Sequence, residues 1–210
     1  MSDTRFLQNA FRHFRQPRMR LFERTFQITS RTRILDVGGS PAIWQYASVQ
    51  PRLTVLNVPG AIESGAGYDS VAGDGRMLPF CDSEFDIVFS NSVIEHVGTL
   101  EDQRRFAEEV ARVGRRYWVQ TPNRSFPVEL HVMLPFIHFL PKSWQRPIVD
   151  RFTIWEHFVH PNERLRAHFV HHFLNELRLL DARELRTVFP GARILTERVL
   201  GLPKSLIAVR

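Results

Sequence analysis

From Arg31 onward, short runs of β-branched and aromatic residues alternate with stretches of helical periodicity, and few folds accommodate that rhythm. The runs RILDV, LTVLNV, YDSVAG, FDIVFSN, YWVQTP, ARILTERV and KSLIAVR read as strands. Between them, Thr99 to Val113 places Leu100, Phe106, Val110 and Val113 on one helical face with charges opposite. A second helix is expected over Asp181 to Val188, where an aspartate N-cap is followed three residues on by Glu184, and the FPG at 189–191 stops it. Helices interleaved with strands in this way imply a largely parallel sheet covered by helices.

Two regions break the rhythm. The N-terminal segment carries Phe6, Leu7, Phe11 and Phe14 among arginines, which predicts short amphipathic helices broken at Pro17. Residues 124–176 are rich in Phe, His, Trp and Pro and too long for an ordinary strand-to-helix connection, so they are expected to form an insertion or cap. The expected organisation is therefore a helical cover over residues 1–30 and one domain over 31–210, with the insertion at about 124–176. At 210 residues the chain is long enough for one sizeable core and short for two.

The chemistry concentrates near the ends of three strand candidates. In ILDVGGSPAIW the run Ile34–Val37 reads as a buried strand, and the turn Gly38-Gly39 lets the backbone approach a ligand where a Cβ would clash. The helix expected after it would aim its N-terminal amides at that ligand, while Asp36 either holds a cationic group or caps the turn. About twenty residues on, where nucleoside-binding sheets place an acid for the ribose hydroxyls, this chain has Asn57. The run GDGRMLPFCDSEFDIVFSNSVIEHV then sets Asp74 and Gly75 beyond a strand, suited to an exocyclic amine and a ring nitrogen, and ends the next strand at Asn91. Glu95 and His96 follow shortly after it.

These residues resemble a class I S-adenosylmethionine-dependent methyltransferase, of the small-molecule branch that includes the ubiquinone and menaquinone methyltransferases. The likeness covers roughly Arg31 to Asn123, and the C-terminal run FPGARILTERVLGLPKSLIAVR resembles that family's closing antiparallel pair. It implies a three-layer α/β/α Rossmann-like sandwich with a seven-stranded, mostly parallel sheet and an antiparallel last strand. The family's D-x-G-x-G-x-G turn is matched here at Asp36 and Gly38, with Ser40 and Ala42 at the other glycine positions and Gly39 as an extra glycine. By resemblance, Gly38 and the Gly39 backbone face the methionine moiety, Asp74 the adenine amine and Asn91, by its backbone, the cofactor edge; Ser40, Asn57 and Gly75 complete the set for S-adenosylmethionine and its product S-adenosylhomocysteine. An NAD(P)-dependent oxidoreductase fits poorly, because G-x-G-x-x-G counted from Gly38 falls on Ser40 and then on Ile43, not on glycines.

Methyl transfer to oxygen or nitrogen requires alignment and, where the acceptor must lose a proton, a base. TPNRSFPVELH places Glu129 and His131 just after the fifth strand, and His131 is the expected base with Glu129 orienting it or binding substrate. The acceptor is expected to be a small molecule, aromatic, quinone-like or lipid-linked, walled by Phe126, Phe136, Phe139, Trp144, Phe152, Trp155 and Phe158. RNA is the less favoured acceptor: the net charge of +6 suits an anionic partner, but SNSV replaces the NPPY-type motif and no RNA-binding module is recognisable. A non-catalytic S-adenosylmethionine-binding relative is the reading from another class, motivated by Ser40, Ala42 and Asn57. No metal is expected, since the histidines at 157, 160, 168, 171 and 172 lack an HExxH pattern and nearby acids beyond Glu163 and Glu176.

The lone cysteine, Cys81, forms no internal disulfide, and no apolar run approaches the roughly 18 residues of a membrane span. The first residues lack a signal-peptide core, so a cytoplasmic location is expected, with peripheral membrane contact open to the basic N-terminal segment. Oligomeric state is left open.

Overall fold

The computed structural model describes residues 3–62, 65–151, 166, 170–171 and 173–210, with side chains from residue 15 onward. A seven-stranded sheet is built from β1 (Arg33–Val37), β2 (Arg52–Asn57), β3 (Tyr68–Ala72), β4 (Phe85–Asn91), β5 (Gly114–Pro122), β8 (Arg193–Val199) and β9 (Leu202–Val209), in the order β3-β2-β1-β4-β5-β9-β8. The pairs among β1 to β5 are parallel, and β9 runs antiparallel to both β5 and β8. This is the mostly parallel Rossmann-like architecture expected of the chain. A hairpin of β6 (Val128–Glu129) and β7 (Leu134–Pro135) stands apart from the sheet.

The central strands are buried on both faces, so alternate residues serve two cores. Leu35, Val37, Val88, Tyr117 and Val119 point to one face, where they meet Phe106, Val110 and Val113 of α2 (Leu100–Val113) and Leu185 and Val188 of α4 (Ala182–Val188). Both helices begin with a capping box, Thr99 with Asp102 and Asp181 with Glu184, which satisfies amide groups that the first helical turn leaves open. Ile34, Val55, Ile87, Phe89 and Trp118 point to the other face, beneath α1 (Asp3–Phe26).

The N-terminal segment differs from its expectation: α1 is one helix running through Pro17, not short helices broken there. A mid-helix proline costs roughly 3 kcal/mol. The apolar residues after it outweigh that cost, because Met19 and Phe22 are fully buried and Phe26 nearly so. Phe22 alone meets Phe89 at 4.9 Å, Phe26 at 5.3 Å, Trp118 at 5.6 Å and Trp44 at 6.1 Å between ring centroids, all edge-on. Arg18 fastens the same helix to the sheet: its guanidinium takes both carboxylate oxygens of Glu197 at 2.7 and 2.5 Å and also donates to Asn91 Oδ1 and Gln120 Oε1.

The insertion contributes the β6–β7 hairpin and α3 (Lys142–Arg151), packed with Val132, Leu134, Ile137, Val149, Val170 and Phe173 in a separate small cluster. Among the described residues no helix is long and apolar enough to cross a membrane. Because Phe22 joins α1 to aromatic residues of β4, β5 and the segment carrying Trp44, Phe22→Ala is expected to destabilise the fold by about 3–5 kcal/mol. Urea unfolding followed by tryptophan fluorescence measures it.

Candidate functional site

In a parallel sheet, side chains and loops at the C-terminal strand ends converge where the strand order reverses, here between β1 and β4. A cavity of about 740 Å³ opens at that point. Gly38 after β1, Asn57 at the end of β2, Gly73 to Arg76 after β3 and Ser92, Val93 and His96 after β4 line it, and residues 175–178 at the end of the insertion close one side. Its size suits a small molecule or nucleoside.

The glycine turn is built around the buried Asp36. Gly38 adopts φ +72°, a left-handed conformation that favours glycine, and a Cβ there would stand 2.5 Å from Val93 Cγ1. A Cβ on Gly39 would fall 2.1 Å from Asp36 Oδ1, so the extra glycine of the turn makes room for that carboxylate. Asp36 Oδ2 accepts from the indole N–H of Trp44 at 2.8 Å, while Oδ1 has no hydrogen-bond partner. Burial pushes the carboxyl up to about 7, against the pull of the indole hydrogen bond. Asp36 thus supports the loop from below and does not line the cavity, in contrast to a role in contacting a ligand. The expected helix after the turn is a six-residue 3-10 helix, Pro41–Tyr46, with Ser40 at its N-cap making no side-chain cap hydrogen bond. Proline at its start and the need to deliver Trp44 to Asp36 explain the tight geometry.

The other expected residues divide in the same way. Asn57 lines the cavity and donates from Nδ2 to the Gly39 carbonyl at 3.0 Å, which leaves its amide oxygen as an acceptor. Asp74 and Gly75 also line it, with both Asp74 oxygens held by the Arg76 guanidinium. That hydrogen bonding and the guanidinium charge keep the Asp74 carboxyl below its usual range. Asn91 is turned to Arg18, and Gly39 and Ser40 lie outside the cavity wall; Ser92, which the sequence reading passed over, takes Asn91's place there. Ser92 sits at φ +58° and is tied to β5 by Ser92 N to Gln120 O at 2.9 Å and Ser92 Oγ to Gln120 Oε1 at 2.9 Å.

Beyond His96 lies a cluster of two acids and two histidines. Glu129, fully buried at the start of the hairpin, accepts from the backbone amides of His131 and Val132 at 2.8 and 2.9 Å and meets His131 Nδ1 at 2.6 Å. The His131 ring packs edge-on at 5.0 Å against His96, which lines the cavity, whereas His131 and Glu129 themselves lie behind the cavity wall. Burial works against a charge on His131, but the Glu129 hydrogen bond and the charges of Glu129 and Glu95 outweigh it, so its pKa lies above the ordinary histidine value. Glu95 is equally buried, accepts from Thr121 Oγ1 at 3.0 Å and is pushed up to about 7 by desolvation. The EH pair was visible in the sequence, whereas its approach to a hairpin some thirty-five positions away was not.

Of the insertion's aromatic residues, Phe126 is buried, and Phe136, Phe139 and Trp144 are exposed; none of these lines the cavity, so the expected aromatic wall is not formed by them. Phe152, Trp155 and Phe158 and the histidines at 157, 160, 168 and 172 lie outside the described residues.

Residues 45–116 match a family model described as a methyltransferase domain. A protein of Mycobacterium sp. (strain JLS), named an uncharacterized methyltransferase, is 33% identical over 91 residues, which cover 39% of this chain and 34% of that protein. The chain thus spans about a third of the length of the curated relatives it matches. Magnesium protoporphyrin IX methyltransferase from Synechocystis PCC 6803, solved with bound S-adenosylhomocysteine, superposes with a TM-score of 0.53 at 13% identity over 98% of this chain and 87% of that one. A protein from Pyrococcus horikoshii OT3 gives a TM-score of 0.57 at 12% identity, over 96% and 89%. At such identities the structural likeness speaks for the fold.

The buried Asp36 makes stability depend on pH with a definite sign. Between its ordinary value of 3.8 and about 7 the folded chain holds a proton there that the unfolded chain has lost, so this contribution to stability falls as pH rises through that window. The fall is at most about 4 kcal/mol, and Asp36→Asn, which can still accept from Trp44, is expected to remove that part of the slope. Denaturant midpoints of both chains from pH 4 to pH 8 test it.

Proposed function

We propose that the cavity binds S-adenosylmethionine and that the chain transfers its methyl group to a small-molecule acceptor brought in beside His96. The observation that carries this reading is the cavity at the β1–β4 switch point, with Gly38, Asn57, Asp74 and Gly75 on its wall, within a chain whose residues 45–116 match a methyltransferase domain. The cavity's polar groups fit an adenosyl cofactor. The Asn57 amide oxygen can accept a ribose hydroxyl, Asp74 and the Gly75 amide flank the place for an adenine edge, and Gly38 leaves space for the methionine end. When bound, the cofactor supplies a methyl group activated by a sulfonium.

The chain's own contribution is alignment, exclusion of water and management of a proton. Residues 175–178 cover one side of the cavity, and Arg178 is fixed there by hydrogen bonds to Gln103 Oε1 at 2.7 Å and Glu184 Oε1 at 2.8 Å. His131, held by Glu129 and packed on the cavity-lining His96, is the base. Its raised pKa means that it accepts a proton only once ionised imidazolium has been neutralised, so the activity limb rises through a pH above 6.5. A non-catalytic cofactor-binding role is the second reading, motivated by Ser40 and Ala42 at glycine positions of the turn and by Asn57 in place of an acid.

Calorimetry with S-adenosylmethionine and S-adenosylhomocysteine decides whether the cavity takes the cofactor. Saturable binding, weakened about tenfold or more by Asp74→Ala, is expected; no binding at high ligand concentration overturns the proposal. His131→Ala is expected to spare cofactor binding and to cut S-adenosylhomocysteine release over a panel of quinols, phenols, sugars and RNA. A chain that binds the cofactor and turns over none of them is the non-catalytic relative.

A further inference from the structure

Glu95 has no task in methyl transfer, yet it is fully buried and its Oε1 has no hydrogen-bond partner among the described residues. A buried carboxylate left half-satisfied is costly, and a cation is the natural complement to it. Two imidazoles surround it: His96 Nε2 stands 4.0 Å from Glu95 Oε1, and the His131 ring meets the His96 ring edge-on. One ligand atom each from Glu95, His96 and His131 lie within 4.8 Å of one another. Glu129 engages His131 at Nδ1, leaving Nε2 as the atom for a ligand, and a carboxylate behind an imidazole is how proteins fix the tautomer and orientation of metal-bound histidines.

We propose that Glu95, His96 and His131 bind one divalent transition-metal cation of the zinc class, with Glu129 as a positioning residue. Two imidazole donors with one carboxylate disfavour magnesium and calcium, which take oxygen, and match a three-ligand site that keeps a position open. Ligand atoms about 2.1 Å from a tetrahedral zinc stand about 3.4 Å apart, so the present spacing has to close by about 1 Å, within reach of small ring rotations.

This deepens the methyl-transfer reading and rests on it for the acceptor, whereas cation binding rests on the four side chains alone. His96 lines the cavity, so the ion borders the acceptor's space and favours acceptors with an ionisable hydroxyl. Such a hydroxyl releases its proton to solvent as its oxygen binds the ion. That oxygen's electron pair then forms the bond to the methyl carbon, and the carbon–sulfur bond breaks with its pair passing to sulfur. In the ion-loaded chain the ion thus replaces His131 as the means of removing the proton, and His131 acts as the base only in the ion-free chain.

The full-length chain, stripped of metal with a chelator and dialysed, is titrated with Co²⁺ and then challenged with Zn²⁺. One saturable Co²⁺ site with a visible ligand-field spectrum, displaced by Zn²⁺, is expected. Glu95→Gln and His131→Ala should each weaken it at least about tenfold, and Glu129→Gln about 10- to 100-fold with an altered spectrum. His171→Ala, a histidine outside the cluster, should leave it unchanged, and melting curves verify that each variant is folded. No saturable binding in the parent chain, or binding that Glu95→Gln and His131→Ala both leave intact, overturns the site. S-adenosylhomocysteine titrations of the same metal-free preparations separate the two proposals: cobalt binding without cofactor binding removes methyl transfer and keeps the ion site, and the reverse removes only the ion.

Discussion

The reversal of strand order between β1 and β4 is the constraint from which the rest follows. Chains leaving neighbouring parallel strands toward opposite faces cannot close over the gap between them, so a crevice forms there whatever the side chains. In this protein that crevice is edged by a turn whose shape is set from beneath. Asp36 reaches Trp44, Trp44 anchors a short 3-10 helix against the aromatic layer under α1, and Gly39 yields the volume the carboxylate needs. A polar group buried in the core therefore defines the backbone that meets solvent two residues later.

The opposite rim is organised by β5 and what comes after it. Thr121 orders Glu95, Gln120 orders Ser92, and the chain beyond Asn123 returns as a hairpin to set Glu129 and His131 beside His96. The glycine turn with Asn57 and Asp74, and the cluster of acids and histidines, are thus held by different elements, β1 to β3 on one side and β4, β5 and the hairpin on the other. Variation in the insertion can change the surroundings of that cluster while leaving the glycine turn untouched.

Local signals carried most of the fold. The strands β1 and β4 agree with the runs RILDV and FDIVFSN to the residue, and the capping box of Asp181 and Glu184 stands where the aspartate and the acid three positions on indicated it. Pro17 misled because a proline's local cost is visible in the sequence, whereas the burial of Met19, Phe22 and Phe26 against strands far along the chain is not. In the site, spacing led to Gly38, Asn57, Asp74 and Gly75 on one cavity wall. The burial of Asp36, the turning of Asn91 to Arg18 and the convergence of Glu95 with His131 depend on tertiary packing, for which no periodicity speaks.

The Arg18 clamp also orders events in time. Its carboxylate partner Glu197 lies 179 positions further along the chain, in a strand at the edge of the finished sheet. During synthesis α1 emerges long before the residue that locks it, so its apolar face must wait, exposed or only loosely docked on β1 and β4, until β8 has joined β9. Asn91 and Gln120, both earlier in the chain than Glu197, share the guanidinium with it and can hold Arg18 until then. A nascent chain released before β8 would carry most of its sheet and only the amide half of its latch.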